Sequence, residues 1–359
     1  MKSKAVSGIM LMLLFTSMLT LTSNTHPAKA TGTIYIRADG SVDPGTAPIS
    51  SVDNVTYTFT GNIYDYVVVE RNNIVVDGAG NVLQGSGSGN GVYWSGVKNV
   101  TIKNTNIKNF QIDVYLKSTS SNLIHGNSIT NNYPAYRNCI GIYLRDSPNN
   151  NISENNITKN DDSIMLDWSA SNSIYGNSIT NNGHGIYLSL SKYNSISRNS
   201  ITSSNYYGIW LKGSSNNNIS ENNITANNPS IKLYESSNNN ISENNITANN
   251  LGIELGYSSN NSIYHNNFVD NTKQVHSYNS TNVWDDGAGK GNYWSDYEDR
   301  YPDAEEIDES GIWNTPYIID VNNQDNYPLI PEFPSFFILP LFIIATLLAV
   351  VVYRIKHSM

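Results

Sequence analysis

The chain has 359 residues, 39% of them hydrophobic and 14% charged, with 25 Gly, 12 Pro and a single Cys. One cysteine excludes a disulfide scaffold and a multi-cysteine zinc or iron–sulfur site. With 21 Lys and Arg against 30 Asp and Glu, the net charge of -9 argues against a broadly basic nucleic-acid surface. The 55 Asn, against 8 Phe and 6 Met, would indicate disorder were they not periodic.

Lys2 and Lys4 precede an apolar run from Ile9 to Leu21, and Ala28-Lys29-Ala30 has the small-x-small pattern of a signal-peptidase site. Residues 1–30 are therefore expected to be removed on export. Residues 31–71 are expected to cap the N-terminal end of the repeat region.

From residue 99 to 281 the chain repeats itself with a period of 22, as in "NNNISENNITANNPSIKLYESS" from 216 and "NNNISENNITANNLGIELGYSS" from 238. Such a unit is too short to be a domain and signals a solenoid. First-position anchors are Ile74, Ile102, Ile124, Ile152, Ile174, Ile196, Ile219, Ile241 and Ile263, at spacings of 28, 22, 28, 22, 22, 23, 22 and 22. A second column (Ile107 to Phe268) and a third (Val114 to Val275) keep step with it. Each station has two or three alternating β-branched residues, with Asn, Gly and Ser between stations, so strands are predicted and helices are not. Stacking them gives an all-β, right-handed parallel β-helix over residues 72–281, three parallel sheets around one narrow core. Nine rungs at about 4.8 Å each make a rod of roughly 43 Å.

Unbroken Asn columns, Asn122 to Asn261 and Asn127 to Asn266, are expected at the corners, tolerating left-handed turns and hydrogen-bonding from rung to rung. Ten N-x-S/T sequons, among them Asn156, Asn223 and Asn245, mostly follow from this composition. Asn54 and Asn279 are the better expected acceptors. Cys139 is expected to be buried.

Residues 282–330, with Trp284, Trp294 and Trp313, are expected to close the far end. Pro331-Glu332-Phe333-Pro334 sits in a short linker, 331–335. Phe336 to Tyr353 is 18 residues without a charge, followed at 354–359 by Arg354, Lys356 and His357. A helix of that length spans about 27 Å, enough for a bilayer, and the basic tail places the ectodomain outside. The three parts together resemble the sorting tails of archaeal surface proteins, which implies processing by a sortase-like membrane enzyme.

The periodic "NNxISxNxITxNxxGIxL" pattern resembles the right-handed β-helix repeats of the NosD-like family, within the pectin-lyase-like superfamily. "TIYIRADGSVDPGTAPIS" and "NNIVVDGAGNVLQG" before the repeats, and "GNYWSDY" and "TPYIIDVNNQDNYPL" after them, extend the resemblance over roughly residues 33–330. The family is named for a factor in copper-site maturation, which makes a copper-binding accessory role one alternative. Copper prefers Cys, Met and His, and here His125, His184, His265 and His276 fall at dispersed positions. Relatives often carry a calcium-like loop near Tyr301 to Asn314. This chain keeps Asp303, Glu305, Glu306, Asp308 and Glu309 without the Asp-Gly spacing, so these are weak Ca²⁺ candidates beside a solvated loop.

The third station runs G-I-x-L-x, with Ile and Leu inward and the x residues outward. Up the stack the outward pairs are Tyr115 and Lys117, Tyr143 and Arg145, Met165 and Asp167, Tyr187 and Ser189, Trp210 and Lys212, Lys232 and Tyr234, then Glu254 and Gly256. Tyr115, Tyr143, Arg145, Tyr187, Trp210, Lys212 and Tyr234 are the candidate carbohydrate-binding residues, rings covering sugar C–H surfaces and cations meeting carboxylates or sulfates. Mutual stacking of the rings explains the same stripe without a ligand.

Asp161, Asp162, His184 and Lys212 are an alternative catalytic set. Their placement resembles the polygalacturonase-type pattern on successive coils, but Ile140 and Trp210 stand where that pattern has an Asp and an Arg, and inverting hydrolysis needs two carboxyl groups. Arg198 beside Glu221, and Glu243 beside His265, are expected to pair between rungs. The insertion Tyr133 to Cys139 is expected to overhang the stripe. The resulting expectation is an exported, membrane-anchored β-helix that presents a surface to polysaccharide or cell-envelope glycan, or spaces the envelope structurally. A polysaccharide-cleaving enzyme is the alternative; no cofactor and no nucleic-acid partner are expected.

Overall fold

The computed structural model describes residues 32–131 and 139–330. The signal segment, the sorting motif with its apolar tail, and most of the Tyr133 to Cys139 insertion lie outside them. Among the described residues no helix is long and apolar enough to cross a membrane.

The described chain is a parallel β-solenoid of three sheets with 11, 10 and 12 strands, about eleven turns in all. Sheet one holds the first stations (for example Asn151–Ser153), sheet two the second (Asn156–Thr158) and sheet three the third (Asp162–Asp167). Two turns more are present than the nine anchors predict, because residues assigned to the cap already coil: Thr56–Phe59 pairs in parallel with Ile74–Asp77, and Val67–Val69 with Val92, Tyr93 and Trp94. The register also corrects one anchor. Ile102 lies beside Val76, and Ile74 lies beside Val100. The spacing there is therefore two residues shorter than Ile74 suggests, since Ile74 and Val76 both face inward and the sequence offers no reason to prefer the second.

The core is a column of Ile, Leu and Val, one per station with a second on sheet three, from Ile34 to Phe268 almost without exposure. At about 25 cal/mol per Å² this apolar column is the main stabilising term. Sheet three tolerates no side chain just before its anchor in several turns: a Cβ on Gly185 would stand 2.3 Å from the carbonyl O of Gly208 and 2.8 Å from Ile201 Cγ2.

Polar ladders run along the corners. Asn177 donates its backbone N–H (2.9 Å) and its Nδ2 (3.0 Å) to Oδ1 of Asn199, and Nδ2 also reaches the carbonyl of Ile152 at 2.9 Å. In both expected columns each backbone N–H donates to the Oδ1 of the next Asn throughout. A third column, Asn131, Asn160 and Asn182, then Ser204, Asn227 and Asn249, and a serine ladder, Ser147, Ser169, Ser191, Ser214, Ser236 and Ser258, complete the lining of the three turns of each coil, the serines sharing one turn with the Asn150 column. The ladder residues do not themselves take the left-handed conformation. Their neighbours do, including Asn149, Glu154, Lys159, Trp168 and Arg198, because the turn must reverse direction where the buried Asn is already committed to the ladder. Asn156, Asn223 and Asn245 are outside the ladders, exposed at the starts of sheet-two strands.

Both ends are closed. Val42–Asp43 and Ile49–Ser50 pair antiparallel to the first strands. At the other end Trp284 and Trp294 are buried, Trp294 stacks between Phe268 (4.3 Å) and Tyr317 (4.2 Å), and its Nε1 donates to buried Asp325 at 2.9 Å. Trp313 is only half-buried, stacked on Tyr297. Burial pushes the Asp325 carboxyl up to about 6, against the backbone N–H of Asn292, the Trp294 indole and the N–H of Tyr327, which pull it down.

Candidate functional site

The outward residues of sheet three stand in the predicted register, Tyr115 beside Tyr143, then Met165, Tyr187, Trp210, Lys232 and Glu254. Much of the aromatic stripe is self-stacked. Tyr115 and Tyr143 lie 5.0 Å apart at 6°, and Tyr187 and Trp210 lie 4.3 Å apart at 11°. Rings stacked along the rod axis spend their faces on each other and turn edges and hydroxyls outward, so they cannot offer flat faces to a sugar between rungs. Burial and Asp167, 3.4 Å from the phenol, push Tyr143 up to about 12.

The densest chemistry lies at the start of the strands. His184 Nδ1 and Asp162 Oδ1 are 2.8 Å apart, with side chains 19% and 18% exposed. Four rings surround the imidazole: Tyr206 at 5.2 Å, Tyr207 at 5.3 Å, Trp210 at 5.5 Å and Tyr187 at 6.2 Å. The parallel register makes this pair, since Asp162 and His184 are direct partners on adjacent turns. Tyr206 and Tyr207 come from the turn before Ile209–Lys212, where the coil carries one extra residue. Lys232 meets Glu254 at 3.2 Å and the Tyr207 hydroxyl at 3.4 Å, with its ammonium 4.9 Å from the Tyr207 ring centroid. The Trp210 Nε1 is buried without a hydrogen-bond partner among the described residues.

The alternative catalytic set is only half assembled. Asp162 and His184 meet, but Lys212 is exposed beside Ser189 and Tyr234, on the far side of Trp210 from the imidazole. Asp161 is held through its backbone N–H by Cys139 O at 2.9 Å, and its Oδ1 lies beside Gly183. On the neighbouring turn the partner of Asp162 is Ile140. The arrangement can orient an imidazole and move a proton, but it lacks the second carboxyl group of a hydrolase on that turn.

Of the carbohydrate candidates, Tyr187 and Trp210 join the His184 cluster, Tyr115, Tyr143 and Arg145 form a separate stack towards the N-terminal end, and Tyr234 stands edge-on to Tyr257 at 5.8 Å. Sequence reasoning missed Tyr206, Tyr207 and Trp168. The 23-residue spacing between Ile196 and Ile219 is the signal for the first two. Trp168 is 62% exposed at φ 51° in the turn after Asp167, a left-handed position that the turn imposes also on Asp146, Leu190, Glu235 and Tyr257 and that is costly for a bulky residue.

The other candidates separate. Arg198 and Glu221 pair at 2.7 Å as expected, whereas His265 turns from Glu243 to Asp286, 3.1 Å away. Asp303, Glu305, Glu306 and Asp308 form no metal-binding cluster; Glu306 instead accepts from the Gly311 N–H, and Asp308 sits at a left-handed turn. The copper donors do not converge either. His184 and His265 are each committed to a carboxylate, His125 stands by Ser153 and Glu154, and His276 lies on sheet three, one strand beyond Glu254. Cys139 is buried, its thiol pushed up to about 11 by that burial, which removes it as a ready thiolate ligand. Among the described residues no three His, Cys, Asp or Glu side chains are placed to hold a metal ion.

A three-sheet parallel solenoid with one polar-aromatic face defines a parallel β-helix protein. The chain belongs to the NosD family: the family model described as "Periplasmic copper-binding protein (NosD)" matches residues 29–206 and 140–299. Comparison with curated proteins returns no match. Among solved structures the chain is similar to the exopolygalacturonase of Thermotoga maritima (TM-score 0.50, 12% identity, 64% of this chain and 73% of that one). It is also similar to the A-module of the Azotobacter vinelandii mannuronan C-5 epimerase AlgE4 (TM-score 0.46, 14% identity, 71% and 84%). A third likeness is to the Dettilon tailspike protein (TM-score 0.45, 16% identity, 73% of this chain), of which the chain spans 64%. At these identities the likeness is one of fold.

Proposed function

We propose that this protein is an exported β-helix, anchored by its C-terminal apolar segment at the cell surface, that binds envelope polysaccharide along sheet three. The observation that carries the reading is the half-buried His184–Asp162 pair enclosed by four aromatic rings, with Trp168 and Tyr206 exposed in neighbouring turns. The imidazole and phenols of this patch supply hydrogen-bonding groups for sugar hydroxyls, and the exposed rings of Tyr206 and Trp168 supply surface for C–H contact. Exposed Arg145 and Lys212 extend the patch for carboxylates or sulfates. Export and anchoring rest on residues 1–30 and 336–353, and a sortase-like enzyme acting at Pro331–Pro334 is part of the same reading. One observation favours a second reading, polysaccharide cleavage: Asp162 orients His184 as a carboxylate orients a catalytic base.

Affinity electrophoresis of residues 31–330 through gels containing neutral or acidic polysaccharides tests the binding reading, with Trp210→Ala and Trp168→Ala alongside. Retardation lost in both variants is expected; unchanged mobility of the unmodified protein across a broad panel would leave a structural spacer. Shortened glycan on incubation, abolished by Asp162→Asn, would establish cleavage.

A further inference from the structure

A second polar concavity lies away from sheet three, where the last strands of sheet two meet the C-terminal cap. It is a cleft of about 540 Å³, within the range of about 300–1,000 Å³ common to small-ligand sites. Its wall contains two basic side chains, His265 and Lys290, and no carboxylate, on a chain whose net charge is -9. Lys290 is exposed and has no ion-pair partner among the described residues.

The loop that delivers these groups is built rather than incidental. Asp286 Oδ1 accepts from the backbone N–H of Ala288 at 2.8 Å and of Lys290 at 3.0 Å, and its Oδ2 meets His265 Nε2 at 3.1 Å. Those bonds, the Lys290 N–H first, hold Asp286 below the ordinary carboxylate range. The carboxylate therefore stays charged behind the wall and fixes the imidazole from its far side.

The remaining lining has the chemistry of a sugar site. Asn245 and Asn267 present amides from adjacent turns of one column. The Asn245 amide is fixed by donating to Asn223 at 3.1 Å and accepting from Thr247 at 3.0 Å, while Asn267 is exposed and is bonded through its backbone N–H to Asn244. The half-buried Tyr293 adds a phenol, and Leu329 gives an apolar wall. Amides and a phenol match vicinal hydroxyls, an apolar side chain covers a ring C–H face, and an unpaired ammonium calls for an anion.

We infer that this cleft binds an acidic sugar residue of the uronate class, its carboxylate on Lys290 and His265 and its hydroxyls on Asn267 and Tyr293. The site is on a different sheet from the His184 cluster and does not depend on it.

The test uses the full chain and isothermal titration with galacturonate, galactose and inorganic phosphate, comparing Lys290→Ala, Asn267→Ala, Trp210→Ala and, as a surface control, Lys98→Ala. Expected results are saturable galacturonate binding, at least tenfold weaker for galactose and in Lys290→Ala, several-fold weaker in Asn267→Ala, and unchanged in Trp210→Ala and Lys98→Ala. Absence of galacturonate binding, or an equal loss in Lys98→Ala, overturns the site. Phosphate bound as tightly as galacturonate, with no effect of Asn267→Ala, overturns the sugar assignment.

Discussion

Asn177 sits mid-ladder and is the sharpest place to test whether the corner amides hold the rod together. Its Oδ1 is the acceptor for the backbone N–H of Asn155 and for Asn155 Nδ2, both at 3.0 Å, while its own Nδ2 donates to Ile152 O, Asn199 Oδ1 and Tyr175 O at 2.9, 3.0 and 3.2 Å. Asn177→Ala leaves the Asn155 N–H buried without its acceptor, while Asn155 Nδ2 keeps Ile124 O and Ser153 O. An orphaned buried donor costs about 1–3 kcal/mol, and the lost donations to two carbonyls add about 1 kcal/mol. The expected loss is about 3 kcal/mol.

Asn177→Asp is the more telling change. It keeps the acceptor but turns an oxygen towards three oxygens, so at pH 7 an unmatched buried charge costs about 3–5 kcal/mol. The protonated acid can donate again, so the native state raises the pKa of this group above its unfolded value. The contribution of the bound proton is therefore complete below the unfolded pKa, about 3.9, and is lost as pH rises through the folded one. Guanidinium unfolding followed by far-UV circular dichroism at pH 4 and pH 7 measures both. A loss under about 0.5 kcal/mol for Asn177→Ala, or an Asn177→Asp protein no weaker at pH 7 than at pH 4 relative to the unmodified chain, would refute the reasoning.

Two further outcomes are expected. Asp325, with its carboxyl at about 6 against an ordinary 3.8, contributes stability that is complete below about pH 4 and lost as pH rises through 6. Relative to Asp325→Asn, unfolding free energies should fall by about 2 kcal/mol between pH 4 and pH 7, and a pH-independent difference would contradict this. Trp168→Gly relieves a left-handed residue worth about 1 kcal/mol, so its stability by denaturant titration should equal or exceed that of the unmodified chain while polysaccharide retention falls. Loss of stability with retention intact would reverse the assignment of Trp168.

The amino-acid sequence by itself determined the solenoid, because a 22-residue period with three apolar stations has one economical way to bury every Ile, and it determined the outward register of sheet three. It also placed Asp162 and His184 on neighbouring turns. What only the tertiary structure decided is where coiling begins, since Val76 and Ile74 are equally good anchors until the neighbouring turn is present. It decided too which partner each charged side chain takes: His265 chose Asp286, 21 residues on in a cap loop outside the repeat, over Glu243 one rung away. Ring orientation was likewise invisible in sequence. Whether Tyr187 and Trp210 face solvent or each other depends on a 4.3 Å contact between turns, and a period counts residues without recording the angle at which their side chains meet.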